Sequence, residues 1–191
     1  QAPRRQPHLH MIDLIQITND PALARRCDAL EGMRLFVDLE RNGKAERQAG
    51  RNTFISTHTL HDVGCIKAVL HRSKLMVRVN PLYPGSAAEV NAVLGQGADL
   101  LMLPMFTRAQ ELRDFCALVD GRRPVVALLE TAQALACLPV WVGTPGLHEV
   151  YVGLNDLHLS MGQRSMFEPL ALGLADGVAQ QAVARGLRFG F

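Results

Sequence analysis

The amino-acid sequence predicts an α/β protein built as a TIM-type (β/α) barrel. Apolar runs of strand length alternate with helical stretches, as in successive βαβ units. The runs are apolar throughout rather than at every second position, as expected of strands covered on both faces. From the third run to the sixth the repeat is about 25 residues, near the size of a barrel unit. A doubly wound open sheet fits the alternation equally well. The barrel is favoured because neither a GxGxxG nor any other Gly-rich turn directly follows a strand. Seven strands are found in 191 residues, so the expectation is one barrel domain over 1–191, truncated after strand seven and lacking the eighth strand and helix.

The elements follow in order. MIDLIQI (11–17) reads as the first strand, and Pro21 opens a helix where its missing N–H costs little. RLFVDLE (34–40) is the second strand, and the charged segment 41–53 after it is too polar for a core element. A short extended piece is expected over 54–56, then a helix from Thr59, capped by its own hydroxyl with Asp62 three positions on. KLMVRVN (74–80) is the third strand; Ser86 and Glu89 form a capping box for the next helix, which closes near Gly95 or Gly97. ADLLMLP (98–104) is the fourth strand, and Thr107 with Gln110 boxes a helix carrying Leu112, Phe115, Leu118 and Val119 at helical spacing. PVVALLE (124–130) is the fifth strand, with a short helix over 132–138 stopped by Pro139. EVYVGLND (149–156) is the sixth strand, followed by a long connection, a helix over about 175–185 and a final strand, LRFGF (187–191).

Composition narrows the function classes. With 48% hydrophobic and 20% charged residues and a net charge of +2, the chain resembles an ordinary soluble domain. The arginine doublets at 4–5, 25–26 and 122–123 are scattered, so no nucleic-acid surface is expected. No apolar run reaches the ~18 residues needed to span a bilayer, and the basic N-terminus lacks a signal-peptide core of ~7–15 apolar residues, so no membrane partner is expected. Cys27, Cys65, Cys116 and Cys137 lack CxxC spacing and read as reduced thiols of a cytoplasmic protein.

Polar residues end nearly every apolar run: Asp38 and Glu40 the second, Arg78 and Asn80 the third, Glu130 the fifth, Asn155 and Asp156 the sixth. In a parallel barrel those ends open on one face, where barrel active sites are built. A single acid after a strand also serves as a helix cap; recurrence over four strands argues for a site. Glu130 and Asp156, with no His or Cys beside them, suit a hard cation, Mg²⁺ or Mn²⁺. Arg78 can clamp a substrate carboxylate with two parallel hydrogen bonds. A metal on a 2-oxo acid plus an arginine on its carboxylate favours an enolate, the chemistry of C–C bond cleavage or formation beside a carbonyl.

Five pieces taken together, VDLE…GK..RQ (37–48), VRVNP (77–81), GADLLMLP (97–104), LLET (128–131) and GLNDLHLSMG (153–162), make the sequence similar to the HpcH/HpaI aldolase and citrate-lyase beta-subunit superfamily of metal-dependent barrels. The resemblance runs from about residue 15 onward, in the order of that superfamily. It implies a Mg²⁺- or Mn²⁺-dependent C–C lyase, with Glu130 and Asp156 as metal ligands and Arg78 binding substrate. It also implies that the backbone of Leu103, Pro104 and Met105 lies near the substrate. The aldolases of the superfamily carry a histidine after the acid ending strand two, where this chain has Arg41. Asp38, Glu40, Lys44 and Arg47 look closer to the citrate-lyase-like branch, which acts on acyl thioesters.

Arg78, Glu40, Asp38 and His58 are therefore the expected catalytic set, His58 (or His61) standing in as base. Lys44, Arg47 and Asn155 join Arg78 and 103–105 as substrate contacts. A Schiff base on Lys44 is disfavoured because a lysine in so polar a segment is expected to be solvated. A nucleophilic pair of His158 and Ser160 lacks an orienting third residue. The expected partner is a small 2-oxo acid or acyl-CoA-type substrate, with homo-oligomerisation covering the open barrel edge. The alternative is a catalytically degraded barrel that binds a pyruvate-like acid or serves as an assembly subunit.

Overall fold

A computed structural model describes residues 12–44 and 56–191. Met11, Arg47, Phe54 and Ile55, named in the expectations above, lie outside the described residues. Seven parallel strands are hydrogen-bonded in sequence order: β1 (Leu14–Ile17), β2 (Met33–Asp38), β3 (Lys74–Arg78), β4 (Leu100–Leu103), β5 (Val125–Leu129), β6 (Leu147–Val152) and β7 (Arg188–Gly190). The helices between them are α1 (Pro21–Asp28), α2 (Leu60–Lys67), α3 (Ser86–Gly95), α4 (Ala109–Val119), α5 (Ala132–Ala136), α6 (Leu138–Trp141), α7 (Leu154–Ser160), α8 (Glu168–Ala171) and α9 (Leu174–Ala184).

The sheet is curled. Arg34 of β2 donates to both carboxylate oxygens of Glu149 of β6, at 2.6 and 3.0 Å. In a flat sheet, strands four places apart lie ~19 Å from each other. Arg188 of β7 likewise reaches Asp13, just before β1, at 2.7 Å. The seven strands thus form a curled half-barrel, as expected of a TIM-type barrel up to its seventh strand.

Two apolar layers follow from the pleat. One face of the strands, with Leu35, Val37, Leu75, Val77, Leu101, Leu103, Ala127, Leu129, Val150 and Val152, is buried under the helices. The opposite face, with Met76, Leu100, Met102, Val126 and Leu128 and with Ile15, Phe36 and Tyr151 packed on them, fills the barrel interior. Because both faces are covered, the runs carry no alternation, as the sequence predicted. The helices dock by one stripe each: Leu112, Phe115, Cys116 and Val119 of α4 are buried, and each large side chain contributes about 1.5–3 kcal/mol on leaving water. Trp141 is fully buried, its indole N–H donating to the Ala134 carbonyl at 2.8 Å, edge-on to Phe106. Among the described residues no helix is long and apolar enough to cross a membrane.

Local chemistry sets the helix starts, sometimes differently from the expectation. Thr59 and Asp62 form the expected capping box on α2. Asp20, preceding Pro21, caps α1 by accepting from the Ala22 N–H. The expected box at Ser86 and Glu89 does not form: the Ser86 hydroxyl accepts from the Tyr83 N–H, and Glu89 instead accepts from the backbone and side-chain amides of Asn80. At α4 the acid that closes the cap is Glu111, which takes the N–H groups of Thr107 and Arg108, rather than Gln110. Pro139 does not stop a helix but sits in the first turn of α6, where it costs no hydrogen bond. The sixth strand ends at Val152, not at Asp156; Gly153 turns the chain into α7, and Asp156 stands in the first turn of that helix.

Candidate active site

A cavity of about 520 Å³ opens at the C-terminal ends of the strands, where parallel barrels carry their chemistry. Arg78, Lys44, Glu130, Asn155 and Asp156 are its polar and charged lining residues. Phe36, Met76, Met102, Leu128 and Tyr151 of the barrel interior line it too, as do Ile15, Ile17, Met166 and Phe191. Nothing local in the sequence distinguishes interior from exterior positions when both faces are apolar, so this lining is legible only in the fold.

The firmest arrangement is built on Asp38, the last residue of β2. Arg78, its register partner at the end of β3, donates through Nε to Oδ1 and through Nη2 to Oδ2, both at 2.9 Å. Lys44 Nζ donates to Oδ2 at 2.5 Å and stands 3.6 Å from Glu40. Arg78 is also 3.5 Å from Glu40, and its guanidinium lies over the Phe36 ring. Burial pushes the Asp38 carboxyl up, but Arg78 and Lys44 more than offset this and hold it at about 2. Burial opposes the charge on Arg78 too, yet Asp38, Glu40 and Glu130 together drive its pKa above the ordinary value. Both ions of the pair are thus fixed in their charged forms.

Lys44 is buried and ion-paired rather than solvated. The turn after β2 folds it back onto the acid six residues earlier, a contact that the polarity of its segment could not reveal.

Glu130 is held differently. It follows β5 directly, is 2% exposed, and among the described residues makes no ion pair within 4 Å. Burial raises its carboxyl to about 8; Arg78 counteracts this, while Asp156 and Glu40 reinforce it. Its Oε1 accepts the Met105 N–H at 2.9 Å. Met105 has a φ of 55°, the left-handed conformation uncommon in a residue with a side chain, and that turn aims its amide at the carboxylate. The backbone at 103–105 thus reaches the site through the Met105 amide, whereas the Leu103 and Pro104 side chains are buried.

His58 is elsewhere. Its Nδ1 accepts the Asp38 N–H at 3.2 Å, and it lines a second cavity of about 320 Å³ with Arg41 and Glu89. Burial lowers its pKa. With Nδ1 engaged as an acceptor, the neutral ring carries its proton on Nε2 and has no free lone pair to act as a base. Arg41 ties down the same segment, donating to the carbonyls of Ser56 and His58. His61 faces Cys65 within α2, their Nε2 and Sγ 3.2 Å apart. Ser160 accepts the Ala132 N–H and His158 Nδ1 lies against the Leu154 carbonyl, so the two are not paired with each other.

A curled parallel sheet with carboxylates, a paired arginine and a lysine gathered over one cavity at its C-terminal rim defines a TIM-type barrel with a polar, carboxylate-rich site. The chain belongs to the HpcH/HpaI aldolase/citrate lyase family, whose model matches residues 16–185. It is 32% identical over 119 residues to a (3S)-malyl-CoA thioesterase of Cereibacter sphaeroides, a match covering 61% of this chain and 41% of that relative. The chain therefore spans about two fifths of the curated relatives it matches. In fold it is similar to an HpcH/HpaI aldolase/citrate lyase family protein from Burkholderia cenocepacia, with a TM-score of 0.74, 17% identity, and 94% of this chain and 78% of the other covered. It is also similar to the citrate lyase beta subunit of M. tuberculosis complexed with oxaloacetate and magnesium, with a TM-score of 0.66, 20% identity, and 94% and 76% covered.

Among the described residues there is no group of three or more His, Cys, Asp or Glu side chains placed to hold a metal ion. The pair Glu130 and Asp156 nonetheless fits a hard divalent cation. Such a cation commonly takes only one or two protein carboxylates, with water and substrate completing its shell. Burial disfavours the charge on Glu130, and a cation in the cavity would compensate it.

Proposed function

We propose that this barrel is a divalent-metal-dependent enzyme of carboxylate substrates, cleaving or forming a C–C bond beside the carbonyl of a 2-oxo acid or acyl-CoA-type substrate. The observation that supports this reading is the convergence of Glu130, Asp156 and Arg78 on one cavity. Glu130 and Asp156 would hold Mg²⁺ or Mn²⁺, which supplies positive charge to polarise a carbonyl and stabilise the enolate that C–C cleavage requires. Asp38 fixes the Arg78 guanidinium through two hydrogen bonds, so its remaining donor edge is presented without rotamer freedom to a substrate carboxylate. Lys44 adds a second positive charge at the same wall. Asn155, beside Asp156, offers an amide to the substrate. Met105 N–H keeps Glu130 oriented, and the apolar residues lining the same cavity lower the local dielectric, which strengthens charge interactions there.

A second reading is hydrolysis of an acyl-CoA thioester, favoured by the thioesterase named at 32% identity. Incubating the protein with Mg²⁺ or Mn²⁺ and a panel of 2-oxo acids and β-hydroxyacyl-CoA esters separates the two. Lyase activity releases a 2-oxo acid or aldehyde and leaves the thioester bond intact; hydrolysis releases free CoA with the carbon skeleton whole. Absence of both products would overturn the proposal and favour a binding or assembly role.

The exposed apolar side chains Ile12 and Leu14, before and in edge strand β1, and Phe191, after edge strand β7, support self-association as the way these edges are covered.

A further inference from the structure

We propose that Gly153 is a positioning residue for Glu130, and that the missing side chain at this point is what lets the cavity take a divalent cation. The inference rests on the metal reading above and extends it to a residue that makes no contact through a side chain.

Gly153 sits between β6 and α7, its N–H donating to the Leu129 carbonyl at 3.0 Å and so continuing the β5–β6 ladder. That bond locks the end of β6 against the end of β5, one residue short of Glu130. A Cβ at Gly153 would lie 2.8 Å from Glu130 Oε2 and 2.9 Å from Glu130 Cβ. The first contact is with a rotatable carboxylate. The second is not, because a Cβ is fixed by its own backbone, and a 2.9 Å separation between two of them is one that real structures essentially never show. Any side chain at 153 therefore forces either the carboxylate out of its place or the two strand ends apart.

The backbone at Gly153 does not itself require glycine. Its φ of −83° and ψ of 86° lie on the negative-φ side, away from the left-handed region that favours glycine. What requires glycine is the neighbour. Gly153 opens the space on one side of Glu130, and the Met105 amide holds Oε1 on the other. Two backbone features from two different strand ends thus aim one buried carboxylate, and the helix that begins after Gly153 carries Asp156 three residues later. Shifting the turn would move both proposed ligands relative to each other.

The test is Mn²⁺ binding, read by electron paramagnetic resonance of free Mn²⁺, on the wild-type chain and on Gly153→Ala, with metal-free thermal melting alongside. Gly177→Ala serves as the control, since a Cβ there meets nothing within 4 Å. The expected result is a roughly 10- to 100-fold weaker Mn²⁺ affinity for Gly153→Ala, the range for losing a residue that orients a ligand, with Gly177→Ala unchanged. Wild-type affinity in Gly153→Ala overturns this inference alone; failure of the wild-type chain to bind Mn²⁺ overturns the metal reading itself. If Gly153→Ala does not fold, adding Glu130→Gly moves the missing Cβ to the other side of the contact and should restore the melting transition. A double variant that stays unfolded shows that the clash is not with Glu130, and overturns the inference.

Discussion

Arg78 and Asp38 are joined by two parallel hydrogen bonds of 2.9 Å across the β2–β3 pair, at the rim of the barrel and against the wall of its cavity. Asp38 is 1% exposed, so removing it takes away the hydrogen-bonded counter-charge that Arg78 and Lys44 share and leaves them only the longer contacts to Glu40, at 3.5 and 3.6 Å. Asp38→Ala is expected to lower stability by about 3–5 kcal/mol, the cost of orphaning a buried ion. Urea denaturation measures it; a loss below about 1 kcal/mol would mean that water already screens the pair.

Arg34 and Glu149 meet across the barrel interior, with side chains 6% and 11% exposed. Arg34→Ala should destabilise by about 3 kcal/mol, whereas Arg34→Met combined with Glu149→Leu should cost less than the sum of the two single changes, because a buried pair replaced by apolar groups leaves no unpaired charge. A double-variant cycle by chemical denaturation gives the coupling, and additivity would contradict the bridge.

Asp28, at the end of α1, accepts the backbone N–H groups of His71, Arg72 and Ser73 at 2.7–3.0 Å. Burial raises its carboxyl, but these donors more than offset this and lower it from 3.8 to about 2. A folded-state value below the unfolded one means that stability is gained above pH 3.8 and lost as the pH falls from 3.8 towards 2. Asp28→Asn should therefore show a shallower fall in melting temperature over that window than the wild type. Parallel curves would exclude Asp28 as a contributor.

Among the described residues β1 and β7 are the outermost strands of the sheet, with Ile12, Leu14 and Phe191 exposed beside them, and the proposed self-association predicts an assembly larger than one chain. Light scattering at micromolar concentration should report a multiple of 21.0 kDa, and a monomeric mass would show that the edges are tolerated in water.

Much of this fold was legible in the residues. The barrel strands stand out because they are apolar on both faces, and the strand-end polar residues collect on one rim because parallel strands must point the same way. Glu130, Asp156 and Arg78, which the fold brings to one cavity, were nameable for that reason. What was illegible depended on distance in sequence. Lys44 looks solvated in its own segment, and only the fold returns it to Asp38. Asp156 reads as a strand end because Gly153 gives no local sign that the chain leaves the sheet there. His58 was a reasonable base by position, but the Asp38 amide occupies its acceptor nitrogen. The Met105 amide and the empty space at Gly153 carry no side-chain signal.

The most direct test of the account is calorimetric titration of Mn²⁺ into the wild-type chain, Glu130→Ala and Asp156→Ala. A single Mn²⁺ per chain is expected in the wild type, with that binding weakened in each variant by more than the roughly 10- to 100-fold that loss of a ligand-orienting neighbour costs. Equal affinity in all three would contradict it.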